Sequence, residues 1–101
     1  MRRWEQGRQG TGYRKFLIAC GERWDCYLLD YPPGTHVPPH TDPVPGRRHF
    51  RCNLVLWGER AFEGRAVLRA GPLVIFRSDV TIHSVKKVTR RRLVLSIGAA
   101  F

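Results

Sequence analysis

The chain has 101 residues, of which 43% are hydrophobic, and its 18 Lys and Arg against eight Asp and Glu give a net charge of +10. A chain of this length forms one domain with a single core, and its hydrophobic fraction is that of a globular protein rather than a disordered one. The longest apolar runs, such as residues 16–20 and 54–57, are far shorter than the roughly 20 residues that cross a bilayer, so we expect no membrane segment.

The N-terminus and the cysteines indicate the compartment. Arg2 and Arg3 are not followed by an apolar stretch, so we expect no secretory signal and a cytoplasmic protein. The three cysteines, Cys20, Cys26 and Cys52, are an odd number and lack C-x-x-C spacing. They predict neither a disulfide framework nor a zinc ribbon.

The first half of the chain predicts two strands followed by a shaped loop. Residues 1–12 contain three glycines and no periodicity, so we expect a loose arm or loop before a core of residues 13–101. Apolar and aromatic residues predict strands over 13–20 and 24–31. Prolines at 38, 39, 43 and 45 then exclude a helix and a central strand through Gly46.

The second half predicts further short strands and no helix. Residues 50–57 alternate between an apolar face and a mixed face that carries Arg51 and Asn53, which suits the wall of a polar pocket. Additional strands are predicted over residues 66–68, 73–76, 80–85 and 93–97. Seven or eight short strands separated by Gly and Pro predict an all-β barrel or sandwich, with a jelly roll as the leading candidate.

The proline-rich loop contains a candidate metal-binding pair, His40 and Asp42. In an extended segment residues i and i+2 point the same way, so their imidazole and carboxylate can converge on one ion. The best candidate for a third ligand is His83, far along the chain. Two histidines and one carboxylate on one face of a metal, with other positions open, suit non-haem Fe(II) that activates dioxygen.

The strands on either side of the basic run 86–92 are interpreted as a hairpin. If its turn is centred on residues 87–88, His83 lies opposite Arg92, and opposed residues on antiparallel strands face the same side. A centre half a residue earlier selects Arg91 instead. An arginine inside the metal cavity needs an anionic partner, which a carboxylate-bearing cosubstrate on the metal would supply.

These motifs follow one another in a characteristic order. The order is His40-x-Asp42, Arg51-x-Asn53-Leu54-x-Leu56, Gly71-x-Leu73-x-x-Phe76, His83-x-Val85 and Arg92-Leu93-Val94-Leu95-Ser96-Ile97. It resembles the Fe(II)- and 2-oxoglutarate-dependent oxygenases over about residues 27–98. The resemblance implies a double-stranded β-helix (jelly-roll) core, Fe(II) held by His40, Asp42 and His83, and 2-oxoglutarate bound to the metal.

The resemblance also implies cosubstrate contacts and a reaction. Arg92 by position, or Arg91 in its place, would pair with the distal carboxylate of 2-oxoglutarate. Arg51, Asn53 and Tyr31 would be further contacts, although packing is the more natural role for Tyr31. The implied reaction is oxidation, as a rule hydroxylation, of an unidentified substrate by dioxygen, with decarboxylation of 2-oxoglutarate to succinate.

Two other functions stay open. A cupin-like metal-binding protein fits the separation of Gly34 and His40, but a cupin would normally have a histidine in place of Asp42 and a glutamate shortly after it. A small basic nucleic-acid-binding β-barrel would use the basic run 86–92 and exposed aromatic residues such as Trp57.

The net charge, and the lack of predicted helices at the N-terminus, indicate which partners to consider. A net charge of +10 favours an anionic substrate and leaves nucleic acid open as a partner. Most relatives in the oxygenase family brace the barrel with N-terminal helices, and the sequence predicts none. A homodimer or a partner subunit therefore stays open as the cover of the barrel's outer face.

Overall fold

The computed structural model describes residues 4–6 and 12–101, which form ten β-strands and no helix. The strands are β1 (Trp4–Gln6), β2 (Arg14–Cys20), β3 (Trp24–Tyr31), β4 (Val37–His40), β5 (His49–Trp57), β6 (Phe62–Gly64), β7 (Leu68–Ala70), β8 (Leu73–Arg77), β9 (His83–Val85) and β10 (Arg92–Ala100). The predicted all-β class is confirmed. Within these residues, no helix is long and apolar enough to span a membrane.

The strands form two antiparallel sheets that face each other. The larger sheet has seven strands in the order β1-β2-β3-β10-β5-β8-β7, and the smaller has three in the order β4-β9-β6. Sequence neighbours such as β8 and β9 belong to different sheets, so the chain repeatedly crosses between them. This two-sheet arrangement is the double-stranded β-helix, or jelly roll, that the sequence predicts.

Strand positions agree with the sequence prediction except around the prolines and the short strands. Residues 37–40 form β4 rather than loop, at an edge of the smaller sheet. An edge strand needs no amide donor on its free side, so Pro38 and Pro39 are tolerated there. Strand β6 was not predicted from the sequence, and β7 begins two residues later than predicted.

The predicted loose arm is wrong at residues 4–6. This segment is β1 and pairs with β2, with Trp4 opposite Phe16 and Glu5 opposite Lys15. The Arg14 guanidinium lies 4.9 Å from the centre of the Trp4 ring, which adds a cation–π contact to the pairing. The rest of the predicted arm, residues 1–3 and 7–11, lies outside the described residues.

The predicted hairpin across the basic run is also wrong. Strand β9 pairs with β4 and β6, whereas β10 pairs with β3 and β5, so the two strands lie in opposite sheets. The reason is Val88, which is 1% exposed and bonds through its backbone to Gly34 and Thr35. Burial of this one apolar residue makes the basic segment a crossing between sheets instead of a tight turn.

The core fills the space between the two sheets in two clusters. The first contains Tyr31 and Val94 from the larger sheet against Val37 and Val85 from the smaller one. The second contains Phe62, Val74 and Phe76. The two clusters are separate, and this leaves room for a cavity between the sheets.

Arg91 and Arg92 point to opposite faces of the larger sheet, as alternate residues in extended chain do. Arg91 donates to Asp30 at 2.9 and 3.1 Å, and Arg14 donates to the same carboxylate at 2.5 Å. Arg92 is 1% exposed, donates from Nε to the Glu59 carbonyl oxygen at 3.0 Å, and stacks 4.7 Å from the centre of the Tyr31 ring.

Replacement of Arg92 by methionine should destabilise the fold. The substitution removes the charged donor of the Glu59 carbonyl oxygen and the guanidinium that stacks on the Tyr31 ring, so we expect the free energy of unfolding to fall by about 2 kcal/mol. Urea denaturation followed by tryptophan fluorescence measures the loss. The exposed neighbour Arg90 is the matched control, and Arg90→Met should change stability little; equal losses in both variants would contradict the structural role of Arg92.

Candidate metal site

Three predicted ligands converge at the smaller sheet. His40 on β4 lies directly opposite His83 on β9 in the strand register, with ring centroids 4.3 Å apart. Asp42 follows two residues after His40, and its Oδ2 atom lies 3.5 Å from His40 Nε2 and 3.3 Å from His83 Nε2. The ligand atoms of all three residues lie within 4.8 Å of one another.

This geometry fits a divalent metal ion. Ligands bound at about 2.1 Å and at right angles around one ion lie about 3 Å apart, close to the 3.5 and 3.3 Å that separate the Asp42 oxygen from the two imidazole nitrogens. One carboxylate and two imidazoles are a donor set that iron, zinc and other divalent transition metals accept. Three donors on one side of an ion leave its remaining coordination positions open.

Backbone hydrogen bonds orient both imidazoles. The Nδ1–H group of His40 donates to the Pro38 carbonyl oxygen at 2.7 Å, and that of His83 donates to the Thr81 carbonyl oxygen at 2.8 Å. Each bond places the ring proton on Nδ1 and the lone pair on Nε2, which is the tautomer that a metal requires. The rings of Phe62 and Phe76 pack against His83 and hold it further.

The third ligand is anchored through its backbone. The Asp42 amide donates to the Ser78 carbonyl oxygen at 2.8 Å, and the Ser78 amide in turn donates to the His49 carbonyl oxygen at 3.1 Å. The His49 ring also hydrogen-bonds to the Ser78 hydroxyl, and burial followed by the charge of Arg51 lowers the pKa of His49. His49 thus helps to position the Asp42 loop, and its ring is not part of the ligand cluster.

The ligands open into a cavity of about 310 Å³ between the sheets. Its wall opposite the ligands is the inner face of the larger sheet, from which Tyr27, Arg51, Asn53 and Ser96 project. Val37 and Val85 contribute apolar surface beside the metal site. A cavity of this size suits a small molecule rather than a polymer.

Arg51 joins three strands of that wall. It donates to Asp25 on β3 at 2.7 Å and to the Ser96 hydroxyl on β10 at 2.7 Å, and Ser96 donates to Asn53 Oδ1 at 2.6 Å. The guanidinium crosses β10 over Gly98, where a Cβ atom would lie 2.7 Å from Arg51 Cζ. Glycine at 98 is therefore required for this network to form.

Two tyrosines supply neutral phenol groups to the cavity. Burial raises the pKa of Tyr31 to about 12, although the positive charge of Arg92 acts to lower it. Burial, and then the Asp25 carboxylate, also raise the pKa of Tyr27. Both hydroxyl groups therefore stay protonated at neutral pH.

The structure separates the predicted cosubstrate residues into two groups. Arg51, Asn53 and Tyr31 line the cavity that contains the candidate ligands. The hairpin and the resemblance both predict that Arg92, or Arg91 in its place, points into this cavity. That prediction is wrong, because neither arginine is among the residues that line the cavity. Arg92 lies behind the Tyr31 ring beside a separate cavity of about 20 Å³, enough for about one water, and Arg91 binds Asp30 on the other face.

Asp79 and the basic run 86–92 are not part of the cavity wall. Asp79 accepts from Arg77 at 2.9 and 2.6 Å, and this partner lowers the pKa of the carboxyl to about 2, so Asp79 closes a turn. The basic run 86–92 is not one continuous charged surface, because Val88 and Arg92 are buried within it. Nucleic-acid binding stays a prediction from net charge alone.

Lys15 and Ser96 line the cavity but were not predicted from the sequence as site residues. Lys15 on β2 lines the cavity, with its ammonium group 5.1 Å from the centre of the Tyr27 ring. Ser96 lies opposite both Tyr27 and Asn53 in the register of β10. Alternation along β5 predicts that Asn53 faces inward, so the pairing of β5 with β10 would also have indicated Ser96. No local signal in the sequence marks Lys15.

Comparison with known proteins identifies the fold. A scan against protein-family models found no match, and a search of curated proteins found none either. Among solved structures, the chain is similar to KdgF from Halomonas sp., at 19% identity over 96% of this chain and 84% of that one, with a TM-score of 0.69.

Two further structures are similar over nearly the whole chain. An RmlC-like cupin from Shewanella frigidimarina is 16% identical over 97% of this chain and 83% of its own, with a TM-score of 0.69. The DMSP lyase DddQ from Ruegeria pomeroyi is 18% identical over 97% of this chain and 56% of its own, with a TM-score of 0.72. At these identities the likeness concerns the fold, and this chain has the cupin-like double-stranded β-helix.

Proposed function

We propose that the chain is a cupin-like metal-binding protein that holds one divalent transition-metal ion through His40, Asp42 and His83. We further propose that it binds a small anionic molecule at the open side of that ion. The observation that carries the proposal is the convergence of three oriented ligand atoms on the wall of a cavity of about 310 Å³. A cupin-like fold is compatible with such a metal site. The candidate ligands differ from the usual cupin set in one position, because Asp42 stands where a second histidine is expected.

The charge of the cavity supports an anionic ligand. Among the described residues that line it, Lys15 and Arg51 are basic and Asp42 is the only acidic one. A divalent ion adds two positive charges, so the loaded site carries a net positive charge that attracts anions. When bound, such an ion supplies Lewis-acid chemistry to its ligand, while Lys15, Arg51 and the tyrosine hydroxyls orient that ligand.

Removal of one ligand should abolish high-affinity metal binding. Titration of the purified chain with Co²⁺ or Fe²⁺ by calorimetry should show one ion per chain. The His83→Ala and Asp42→Ala proteins should bind the ion at least ~100-fold more weakly. Removing the hydrogen-bond partner of a ligand already lowers metal affinity, and removing the ligand itself should lower it further.

The exposed His36 provides a matched control for this experiment. His36→Ala removes an imidazole from outside the ligand cluster and should leave the affinity unchanged. Thermal unfolding of each variant without metal shows whether the fold is intact. Retention of wild-type affinity by a folded His83→Ala protein would refute the metal site.

Lys15 should contribute to anion binding without affecting the metal. We expect Lys15→Met to weaken the binding of succinate to the cobalt-loaded protein about tenfold, since a charged donor contributes about 1.5 kcal/mol. The visible absorption of Co²⁺ follows the titration. Lys86→Met removes the same charge from an exposed position outside the cavity. An equal loss in that variant would mean that net charge, not the cavity, attracts the anion.

An Fe(II)- and 2-oxoglutarate-dependent oxygenase is the second candidate function. Its support is the donor set, since two histidines and one carboxylate with open positions characterise non-haem Fe(II) oxygenases. The presence of Arg51 and Asn53 in the same cavity also supports it. The position of Arg92 weighs against it, because the implied partner of the distal carboxylate lies behind Tyr31.

Anaerobic titration with Fe(II) and 2-oxoglutarate tests the oxygenase candidate. If it is correct, the pair should give the weak visible charge-transfer band of the chelate, and Asp42→Ala should remove the band. Since Arg92 is outside the cavity and Arg51 is in it, we expect Arg51→Met to weaken 2-oxoglutarate binding more than Arg92→Met does. Binding of Fe(II) without the band would exclude 2-oxoglutarate as a cosubstrate, and the cupin-like metal-binding function would remain as the proposal.

A further inference from the structure

A second, smaller cavity lies beside the one that contains the candidate metal ligands, which is called the metal cavity from here on. The small cavity measures about 20 Å³, and Asn53 and Phe62 line both cavities, so the two share a wall. Its charged lining consists of Arg60, Arg69 and Arg92, and no acidic side chain lines it among the residues that the structure describes. Three like charges around one small space repel one another, so the arrangement favours an occupant of the opposite sign.

The fold brings these arginines together from three separate segments. Asn53 on β5 lies opposite Val74 on β8, and Val74 lies opposite Arg69 on β7, so these three side chains point to the same side of the larger sheet. Arg92 begins β10 and is 1% exposed. Arg60 follows the end of β5 and, like Arg69, is exposed. The small cavity therefore has one buried arginine inside it and two arginines where its wall meets solvent.

The buried arginine has neutral partners. Arg92 donates from Nε to the Glu59 carbonyl oxygen at 3.0 Å, and its guanidinium stacks 4.7 Å from the centre of the Tyr31 ring. None of the ion pairs among the described residues includes Arg92. Burial lowers the pKa of Arg92, which is the direction expected for a cation removed from water. A buried charge is costly unless a charge of the opposite sign compensates it.

The carboxylate of Glu59 does not supply that compensation, because it binds another residue. One Glu59 carboxylate oxygen accepts from the Thr89 amide at 2.5 Å and from the Thr89 hydroxyl at 3.2 Å. The preceding Gly58 has φ of 93°, and a Cβ atom there would collide with the Arg91 carbonyl oxygen. Glycine permits this close approach of two backbones, which brings the Glu59 carbonyl group to Arg92 while the Glu59 carboxylate faces Thr89.

The size of the small cavity limits its occupant to a single small ion. A volume of about 20 Å³ admits about one occupant the size of a water molecule. Phosphate, sulfate and organic carboxylates are too large for it. A water molecule fits but leaves the positive charge uncompensated, whereas a halide ion is close to water in size and accepts N–H groups from any direction. The apolar Phe62, Val55 and Val74 complete the lining, and charges attract more strongly in such surroundings.

We propose that the small cavity is a halide-binding site that takes chloride, with Arg92 as the buried donor and Arg60 and Arg69 as the outer donors. The halide compensates the charge of the buried guanidinium and links β10 to β7 and to the segment after β5. Its binding therefore stabilises the folded chain. The proposal does not depend on the proposed metal binding, because the two cavities are separate.

Thermal unfolding of the metal-free chain, followed by tryptophan fluorescence, tests the site in solution. Chloride replaces gluconate at constant ionic strength, so that screening of the net charge does not change and the comparison anion is too large for the cavity. Above the dissociation constant, each tenfold increase in chloride should raise Tm by about 5 °C. Equal Tm values in chloride and in gluconate over the whole range, as a cavity that holds only water predicts, would overturn the proposal.

The two exposed arginines provide variants that retain the buried Arg92. Arg60→Gln and Arg69→Gln each remove one charged donor, so the rise of Tm should move to chloride concentrations at least about tenfold higher. Arg47→Gln is the matched control, since Arg47 is exposed and lines neither cavity. The same chloride dependence in the wild-type, Arg60→Gln and Arg69→Gln proteins would assign the effect to net charge and overturn the proposal.

Anomalous scattering from bromide locates the ion directly. In crystals of the wild-type chain that contain bromide, we expect a peak in the small cavity within hydrogen-bond distance of the Arg92 guanidinium. Peaks at exposed arginines only would overturn the proposal. So would a peak in the cavity without any chloride dependence of Tm, because that result would mean binding at crystal concentration only.

Discussion

Strand β10 imposes the main constraint on this molecule, because it pairs with β3 on one side and β5 on the other. Alternate side chains of an extended strand point to opposite faces, so one strand must serve two environments. Ser96 hydrogen-bonds within the polar wall of the cavity, while Ile97 points to the opposite side of the larger sheet and is 44% exposed. A shift of one residue in register would exchange these two environments and destroy both.

The candidate metal site depends on the smaller sheet in a comparable way. Direct opposition of His40 and His83 across two strands sets the distance between their rings, and backbone carbonyl groups set their rotation. Asp42 joins them from a loop that is tied to the end of β8 through Ser78. The ligands are thus held by elements that are themselves anchored on both sides of the cavity, as a pre-organised site requires.

The distribution of charge separates structural from functional basic residues. Arg92 is buried against Tyr31 and Glu59, and Arg91 and Arg14 compensate the buried Asp30. These arginines stabilise the sheet and have no direct contact with the metal cavity. Lys15 and Arg51 are the basic residues at the cavity wall. The charge of a ligand is therefore inferred from these two residues and not from the net charge of the chain.

Local pattern was enough to predict the all-β class, most strand positions, the pairing of His40 with Asp42 in one candidate metal cluster, and the inward face of β5. These features depend on residues close together in sequence or on alternation within one strand, which the sequence states directly. His83 is 41 residues after Asp42, and only the order of the motifs indicated it. Only the tertiary structure decided that β9 and β10 lie in different sheets, and that Arg92 is outside the metal cavity and Lys15 inside it. Those features depend on which strands pair, and pairing follows from burial across the whole chain, such as that of Val88, rather than from any local sequence signal.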